Sequence, residues 1–278
     1  GLLTEEAQAL PGVEVAIVPS LGRPIRPWRD LRALVELVRL LRRYRPQVVH
    51  THSSKAGILG RWAAWLAGVP VIVHTIHGFG ITPGQPAWLR VLLIGLERLT
   101  GLITTHWVAV ASVNIDEGLR WKFFRRERVT VIRPGIDPRP FQAPLSSQER
   151  DRVRAELGAA SGDKLVGMVA CLKPQKAPLD FVAVAARVCA CRPEARFALI
   201  GDGDLRAAVE EDIRLAGLED RVRIAGWRRD VPAVMRALDA FLLTSHWEGL
   251  ARVLLEARAA AVPVVATRVG GAEEAITD

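Results

Sequence analysis

The chain has 278 residues, half of them apolar and 24% charged, with a formal net charge of +8. This composition excludes a disordered tail, a collagen-like fibre and a disulfide-stapled miniprotein, and it provides for one large domain or two medium ones. The charge is uneven: residues 1–140 hold 19 Arg and Lys against 10 Asp and Glu, whereas residues 141–278 hold 19 against 20. A basic half suits an anionic lipid surface, a phosphorylated substrate or nucleic acid. Arginine supplies 33 of the 38 basic residues, a bias that a GC-rich genome also produces, so nucleic acid is not expected as a partner.

Three cysteines, Cys171, Cys189 and Cys191, make no CxxC framework. They read as plain buried thiols in a reducing compartment, without a structural zinc. The longest uncharged stretch, Trp62 to Leu89, is interrupted by glycines and prolines, so no spanning helix is expected. The chain begins at Gly1 with no basic leader and stops at Asp278 just after an apparent turn. It reads as a fragment lacking both ends.

Strands and helices alternate in chain order. Val13–Val18 reads as a strand. Pro27–Tyr44 reads as a helix, because Leu31, Leu34, Leu37, Val38 and Leu41 recur at helical spacing. A strand at Val48–His50, a helix at Gly57–Ala67, a strand at Val71–His74 and an apolar helix at Trp88–Leu99 follow. Then come a strand at Trp107–Val110, a short helix at Ile115–Leu119 and a strand at Val129–Ile132. Prolines and serines punctuate residues 134–162, which enclose one charged helix, Ser147–Leu157, with Ser147 as its N-cap. The expected organisation is a first domain at 1–140, a linker at 141–162 and a second domain at 163–278. In the second domain strands at Leu165–Val169, Phe197–Ile200, Val222–Ile224, Ala240–Leu243 and Val264–Ala266 alternate with helices. These helices are expected at Pro178–Cys191, Leu205–Ala216, Val231–Ala237 and Leu250–Ala260. Such alternation implies parallel sheets covered on both faces, with ligands held beyond the carboxyl ends of the strands.

Candidate functional residues therefore follow strands. After AFLL comes Thr244-Ser-His-Trp-Glu-Gly-Leu-Ala-Arg, running into a helix. Glu248 and Glu256 on one helix would stand about 12 Å apart along its axis. That exceeds the roughly 5–9.5 Å of a glycosidase pair, so they would touch different parts of one extended ligand. The amides of Gly249, Leu250 and Ala251 would open the helix and favour a phosphate. The plainer alternative has Glu248 as a helix cap and Glu256 facing solvent. Lys173 and Lys176 follow another strand and could reach a pyrophosphate; solvated loop lysines are the alternative. Gly201-Asp202-Gly203 and Gly270-Gly271 are glycine turns after strands. In the first half His50 and His52 end one strand and His74 and His77 the next, with His77 preferred for the glycine after it. Their spacing shows no metal-binding pattern. Leu119–Arg128 mixes Trp121, Phe123 and Phe124 with five basic residues. It suits an anionic membrane surface or a helix end with partly buried aromatics.

Taken jointly, the motifs resemble the group 1 (family 4) retaining glycosyltransferases of the GT-B fold, in the bacterial surface-polysaccharide branch. The residues that carry the resemblance are VGMVACLKPQKAPLDF, ALIGDGDLR, RIAGWRRDVP, LTSHWEGLARVLLEA and PVVATRVGGAEE, with VVHTHSSKAGILGR and VHTIHGFG in the first half. The resemblance implies an α/β protein of two Rossmann-like domains facing a cleft, the first on the acceptor side with its first strand missing. It implies transfer of a sugar from a nucleotide-diphosphate sugar, with UDP the expected nucleotide, to a lipid-linked or polysaccharide acceptor. Glu248 would contact the donor sugar, Lys176 neutralise the pyrophosphate, Glu256 hold the ribose and the Gly249–Ala251 amides hold a phosphate. Trp227 and Arg228 would line the nucleobase pocket, and His77 would lie near the reacting sugar. Lys173, Gly201 and Asp202 complete the expected donor site. No metal and no cofactor are implied, and the place of action would be cytoplasmic, with peripheral contact at the inner face of the plasma membrane. A sugar-nucleotide epimerase and a non-catalytic nucleotide-sugar-binding subunit are the competing readings. Two positions depart from the family pattern: Cys171 stands where the family has an arginine, and Ala261 where it has a helix-ending glycine.

Overall fold

Helices and strands alternate from residue 27 onward in the computed structural model, which describes residues 2–22, 24–82 and 84–276. The chain forms two compact units, one made of residues up to Ala109 and of Ile115–Thr130, the other of Val110–Asn114 and of Val131 onward. The division thus falls ten residues before the expected end of the first domain, and the chain crosses between units more than once.

The elements up to the third crossing are α1 (Leu2–Gln8), α2 (Pro27–Tyr44), β1 (Val48–His52), α3 (Ser54–Leu66), β2 (Val71–Ile76), α4 (Ala87–Leu102), β3 (His106–Ala109), α5 (Ser112–Arg120) and β4 (Val129–Val131). The sheet runs β1-β2-β3-β4, with β1–β2 and β2–β3 pairing in parallel. Pro27 opens α2, where its missing N–H costs nothing. Beneath the helices Arg61 of α3 is fully buried. Its guanidinium donates to Glu97 Oε1 of α4 at 2.5 Å, to the Gly57 carbonyl at 3.0 Å and to Thr104 Oγ1 at 3.3 Å, and it lies 4.8 Å from the Trp107 ring centroid. A buried charge persists only when paired and hydrogen-bonded in this way.

Two expectations in this unit change. Residues 13–18 form no regular element, and no strand among the described residues pairs with them. Alternation is a local property, whereas a strand needs a partner for its ladder. The aromatics of 119–128 face inward: Phe123 is buried and stacks edge-on to Phe79, as Trp121 does, and Phe124 packs on Trp107. The exposed side chains of that run are its basic residues and the acidic Glu127.

The second unit adds α6 (Arg139–Gln142), α7 (Ser147–Glu156), β5 (Lys164–Val169), α8 (Pro178–Cys191), β6 (Ala195–Ile200), α9 (Arg206–Leu215), β7 (Val222–Gly226), α10 (Val231–Ala237), β8 (Ala240–Leu243), α11 (Arg252–Ala259), β9 (Val264–Ala266) and α12 (Ala272–Ala275). Its parallel sheet runs β7-β6-β5-β8-β9. The core under it includes Leu165, Met168, Phe181, Phe197, Leu199, Phe241 and Leu254. The expected linker belongs to this core: Val153 and Leu157, spaced to share one face of α7, are fully buried in it together with Ala159. Buried Arg154 ties α7 to the Ala237 carbonyl at 2.8 Å and to Asp239 Oδ2 at 2.9 Å. Ser146, not Ser147, caps α7, its Oγ accepting from the Glu149 amide at 3.1 Å. The cysteines are free thiols, Cys171 and Cys189 half-buried and Cys191 exposed rather than buried.

Candidate active site

In the five-stranded sheet the strand order reverses at β5, whose neighbours are β6 on one side and β8 on the other. Ligand crevices of open parallel sheets lie at such a reversal, beyond the strand ends. Two loops meet there. One, residues 170–177, follows β5 and contains a single 3₁₀ turn, Pro174–Lys176. The other, residues 244–251, follows β8. The His246 amide donates to the Gln175 carbonyl at 2.9 Å, Gln175 Nε2 to the Trp247 carbonyl at 2.9 Å, and Thr244 Oγ1 to the Ala177 carbonyl at 2.9 Å.

Glu248 sits at the centre of this stitching and is buried. Its Oε1 accepts from Lys176 Nζ at 2.5 Å and from Ser245 Oγ at 2.6 Å, and its Oε2 lies 3.4 Å from Gln175 Nε2. The carboxylate is therefore fixed in place by a cation and a hydroxyl. Removing one partner of such a buried pair costs about 3–5 kcal/mol. The helix begins later than expected. α11 starts at Arg252 with Ala251 as its N-cap, so Glu248 stands in the loop, and the 12 Å helical spacing to Glu256 does not apply. Gly249, Leu250 and Ala251 belong to the approach to the helix. Among the described residues none accepts a hydrogen bond from their three amides. Backbone N–H groups left over in a loop entering a helix form an anion-binding concavity.

The loop is held from behind by Gly270 and Gly271. Gly270 has φ +52°, and a Cβ there would overlap the Glu248 carbonyl oxygen. The Gly271 amide donates to the Gly249 carbonyl at 2.6 Å. Glu274, one turn on, accepts from the Ser112 amide at 2.5 Å and from Arg133 Nε at 2.8 Å. Val110 and Ala111 pack on Leu250 in the same unit.

Glu256 lies on α11, half-buried, with no hydrogen-bond or ion-pair partner for its carboxylate among the described residues. Burial holds its carboxyl above the usual carboxylate range, and Arg252 pulls the other way. The Lys173 ammonium has no ion-pair partner among the described residues. Gly201 has φ +140°, and a Cβ on it would overlap the Ala170 carbonyl oxygen. Its amide donates to the Gly226 carbonyl at 2.8 Å, so it binds the loops after β5, β6 and β7 together. The Asp202 carboxylate is occupied by the Gly203 amide at 2.8 Å and Arg206 Nη1 at 3.0 Å. Trp227 is exposed at the end of β7. Arg228 beside it is engaged by Asp230 and by Glu156 at 2.7 Å. The structure thus brings Lys176, Glu248 and the 249–251 amides together and connects Gly201 and Asp202 to them through the 170–172 backbone, while Arg228 is committed to acidic neighbours.

Sequence reasoning missed Gln175, Ser245, Ser112, Arg133 and Glu274. Ser245 had a signal, because Ser245-His-Trp-Glu248 has the S-x-x-E spacing of a reciprocal cap. The link from Ser112 to Glu274 had none, since it joins segments far apart in sequence.

In the first unit the expected histidines end β1 and β2. His77 Nε2 lies 2.9 Å from His52 Nδ1, and His50 Nε2 lies 2.6 Å from Thr75 Oγ1. The His50 and His52 rings are 4.4 Å apart. Partial burial, then the charges of His52 and His50, hold the His77 pKa below the usual imidazole value. His74 is different: it is buried 5.3 Å from Trp107, and burial, then the charge of Arg61, push its pKa to about 2. It is a neutral core residue. Among the described residues no group of three or more His, Cys, Asp and Glu side chains is placed to hold a metal ion.

Solved structures with this architecture are GT-B proteins. Anabaena HepE in complex with UDP-glucose matches with a TM-score of 0.75 at 24% identity, covering 91% of this chain and 68% of that one. WaaG, a glycosyltransferase involved in lipopolysaccharide biosynthesis, matches with a TM-score of 0.73 at 19% identity, covering 91% and 68%. The sequence matches Glycosyltransferase Family 4 over residues 2–139 and the group 1 glycosyl transferases over residues 149–278. It is 32% identical over 262 residues to the UDP-Gal:alpha-D-GlcNAc-diphosphoundecaprenol alpha-1,3-galactosyltransferase of Escherichia coli, covering 93% of this chain and 67% of that enzyme. It is 35% identical to the lipopolysaccharide core biosynthesis mannosyltransferase LpsB of Rhizobium meliloti, covering 92% and 63%. The chain belongs to the group 1, family 4 glycosyltransferases and has their GT-B fold. It spans about two thirds of the length of these relatives.

Proposed function

We propose that this chain provides the sugar-transfer machinery of a retaining glycosyltransferase that moves a sugar from a UDP-sugar to a lipid-linked or saccharide acceptor. The observation that carries the reading is the meeting of the Lys176 cation, the fixed Glu248 carboxylate and three unbonded amides beyond β5 and β8. A nucleoside diphosphate sugar needs all three: a cation and N–H donors for its phosphates, and an acceptor for sugar hydroxyls. Lys176 would leave Glu248 for the pyrophosphate, freeing carboxylate lone pairs for the sugar. Lys173, without a partner of its own, would add a second cation. Glu256 would accept from the ribose hydroxyls, and Trp227 would offer its exposed face to the base, with Arg228 holding the loop. His77 would act at the acceptor side, its tautomer set by His52. Charge on the departing diphosphate is stabilised by lysine and amides, so the reaction would need neither metal nor cofactor. UDP as the nucleotide and a lipid-linked acceptor are supported by the names of the Escherichia coli relative and the HepE complex. Such an acceptor would bring the chain to the cytoplasmic face of a membrane.

The test is calorimetry of UDP, GDP and ADP against the chain without metal, beside Glu256→Ala. Selective UDP binding, lost in the variant, is expected. Equal or absent binding of all three by the folded chain would overturn the donor-site assignment. Turnover with UDP-sugars and identification of the product then separates transfer from epimerisation, and the product anomer tests retention.

A further inference from the structure

The two oxygens of Glu248 are held unequally. Oε1 accepts from Lys176 Nζ at 2.5 Å and from Ser245 Oγ at 2.6 Å, whereas Oε2 has only the Gln175 amide, 3.4 Å away. That amide already donates to the Trp247 carbonyl at 2.9 Å. Oε1 is therefore the anchored oxygen, and Oε2 is the one with lone pairs to give.

The residues around the carboxylate also differ in access. The Lys176 side chain is 16% exposed and that of Glu248 6%, and Ser245 is fully buried. The cation is the outer member of the cluster, on a flexible four-carbon stem that can swing to another anion. The hydroxyl is the inner member and cannot follow it. Thr267, just past β9, fixes Ser245 from the far side. Its Oγ1 donates to the Ser245 carbonyl at 2.5 Å and its amide to the Leu243 carbonyl at 2.9 Å. The backbone of Ser245 is thus tied to the neighbouring strand end, and its short side chain reaches Oε1 from a fixed base.

This asymmetry matters when a diphosphate draws Lys176 away. The carboxylate then stays buried without its cation, and an unpartnered buried charge opposes the exchange. A donor that remains behind lowers that opposition, and hydrogen bonds to a charged acceptor are the strong ones. Ser245 is the donor so placed.

We propose that Ser245 is a positioning residue for donor binding: its hydroxyl retains Glu248 through Oε1 when Lys176 transfers to the diphosphate, and leaves Oε2 for a sugar hydroxyl. The proposal rests on the donor-site reading above and deepens it. The Lys176–Glu248 pair is then the resting state of the site, and Ser245 is what lets the pair separate.

The test is a double-mutant cycle read by calorimetry of UDP against the 278-residue chain. Ser245→Ala removes the hydroxyl and little else, and should weaken UDP binding at least about fivefold. In the Glu248→Gln background Lys176 has no carboxylate to abandon, so the same change should alter UDP affinity by less than about twofold. A merely structural role would lower affinity alike in both backgrounds. Ser245→Cys keeps a weaker donor in a similar volume, so its affinity should fall between those of serine and alanine. Circular dichroism establishes that each variant is folded; should Glu248→Gln fail to fold, the order of serine, cysteine and alanine decides. Unchanged UDP affinity in Ser245→Ala, an equal loss in both backgrounds, or cysteine binding no better than alanine would overturn the proposal. Absence of UDP binding by the folded wild-type chain would instead overturn the donor-site reading, and this proposal with it.

Discussion

Replacing Ala261 by glycine should stabilise the second unit. α11 ends at Ala259, and the chain then turns through Ala261 with φ +56°. The Ala261 amide donates to the Arg258 carbonyl at 3.0 Å and the Val262 amide to the Ala257 carbonyl at 3.0 Å. This is the paired closure of a helix end that favours glycine at the left-handed position. Alanine in that conformation costs about 1–2 kcal/mol. Glycine gives back about 0.4–1 kcal/mol through its greater freedom in the unfolded chain. The net gain is about 0.5–1 kcal/mol, since Ala261 is exposed and its methyl packs on little. For a protein of this size that raises the melting midpoint by about 1–4 °C. Ala260 is the control. Its φ of −79° suits any residue, so Ala260→Gly should cost about 0.5–1 kcal/mol. Calorimetric scans and urea titrations of the two variants should therefore move in opposite directions. A midpoint for Ala261→Gly at or below wild type, or both variants shifting alike, would refute the reasoning.

Glu256→Gln removes a carboxyl whose pKa burial raises. A raised folded-state value means stability is fully present below the unfolded value and is lost as pH rises through the folded one. The glutamine variant should match wild type in acid and exceed it in urea stability at neutral pH, while its UDP affinity falls; equal stability at both pH values would contradict this. Gly270→Ala forces alanine to φ +52° and drives a methyl into the Glu248 carbonyl, so a loss of about 2–5 kcal/mol in urea titrations, with UDP binding abolished, is expected. Wild-type behaviour would show that the 248–249 backbone is not fixed from behind. Cys171→Arg restores a cation beside the proposed pyrophosphate site and should tighten UDP binding about tenfold in calorimetry. Unchanged affinity would mean that Lys173 already fills that role.

Local pattern explains most of what could be read from the residues alone. Helix α8 and strands β8 and β9 match their expected bounds because apolar periodicity and flanking proline fix them. The loops of the proposed donor site were legible as post-strand residues, and Ala261 was legible as a misplaced helix end. What escaped was tertiary. The 13–18 segment has a strand's pattern and no ladder. Residues 141–162 have a linker's composition, yet Val153 and Leu157 insert into a core. Phe123 and Phe124 sit among arginines in sequence and among aromatics in space. The grip of Gly270 on Glu248, and of Glu274 on Ser112, depends on which loops the sheet order brings together, and no spacing rule encodes that.

The bond from the Ser112 amide to Glu274 spans 162 residues. Contacts this remote form late, because the chain must surrender the entropy of a long loop first. During synthesis at about 5–20 residues per second, Ser112 emerges roughly 10–30 s before its partner exists. Val110 and Ala111 wait a similar time for Leu250. The first unit therefore matures while the 110–114 stretch inserted in its sequence remains reserved for a second unit not yet made. The loop that carries Glu248 sets only after residues 270–274 have emerged, so translation order places the assembly of this candidate site after the folding of the first unit.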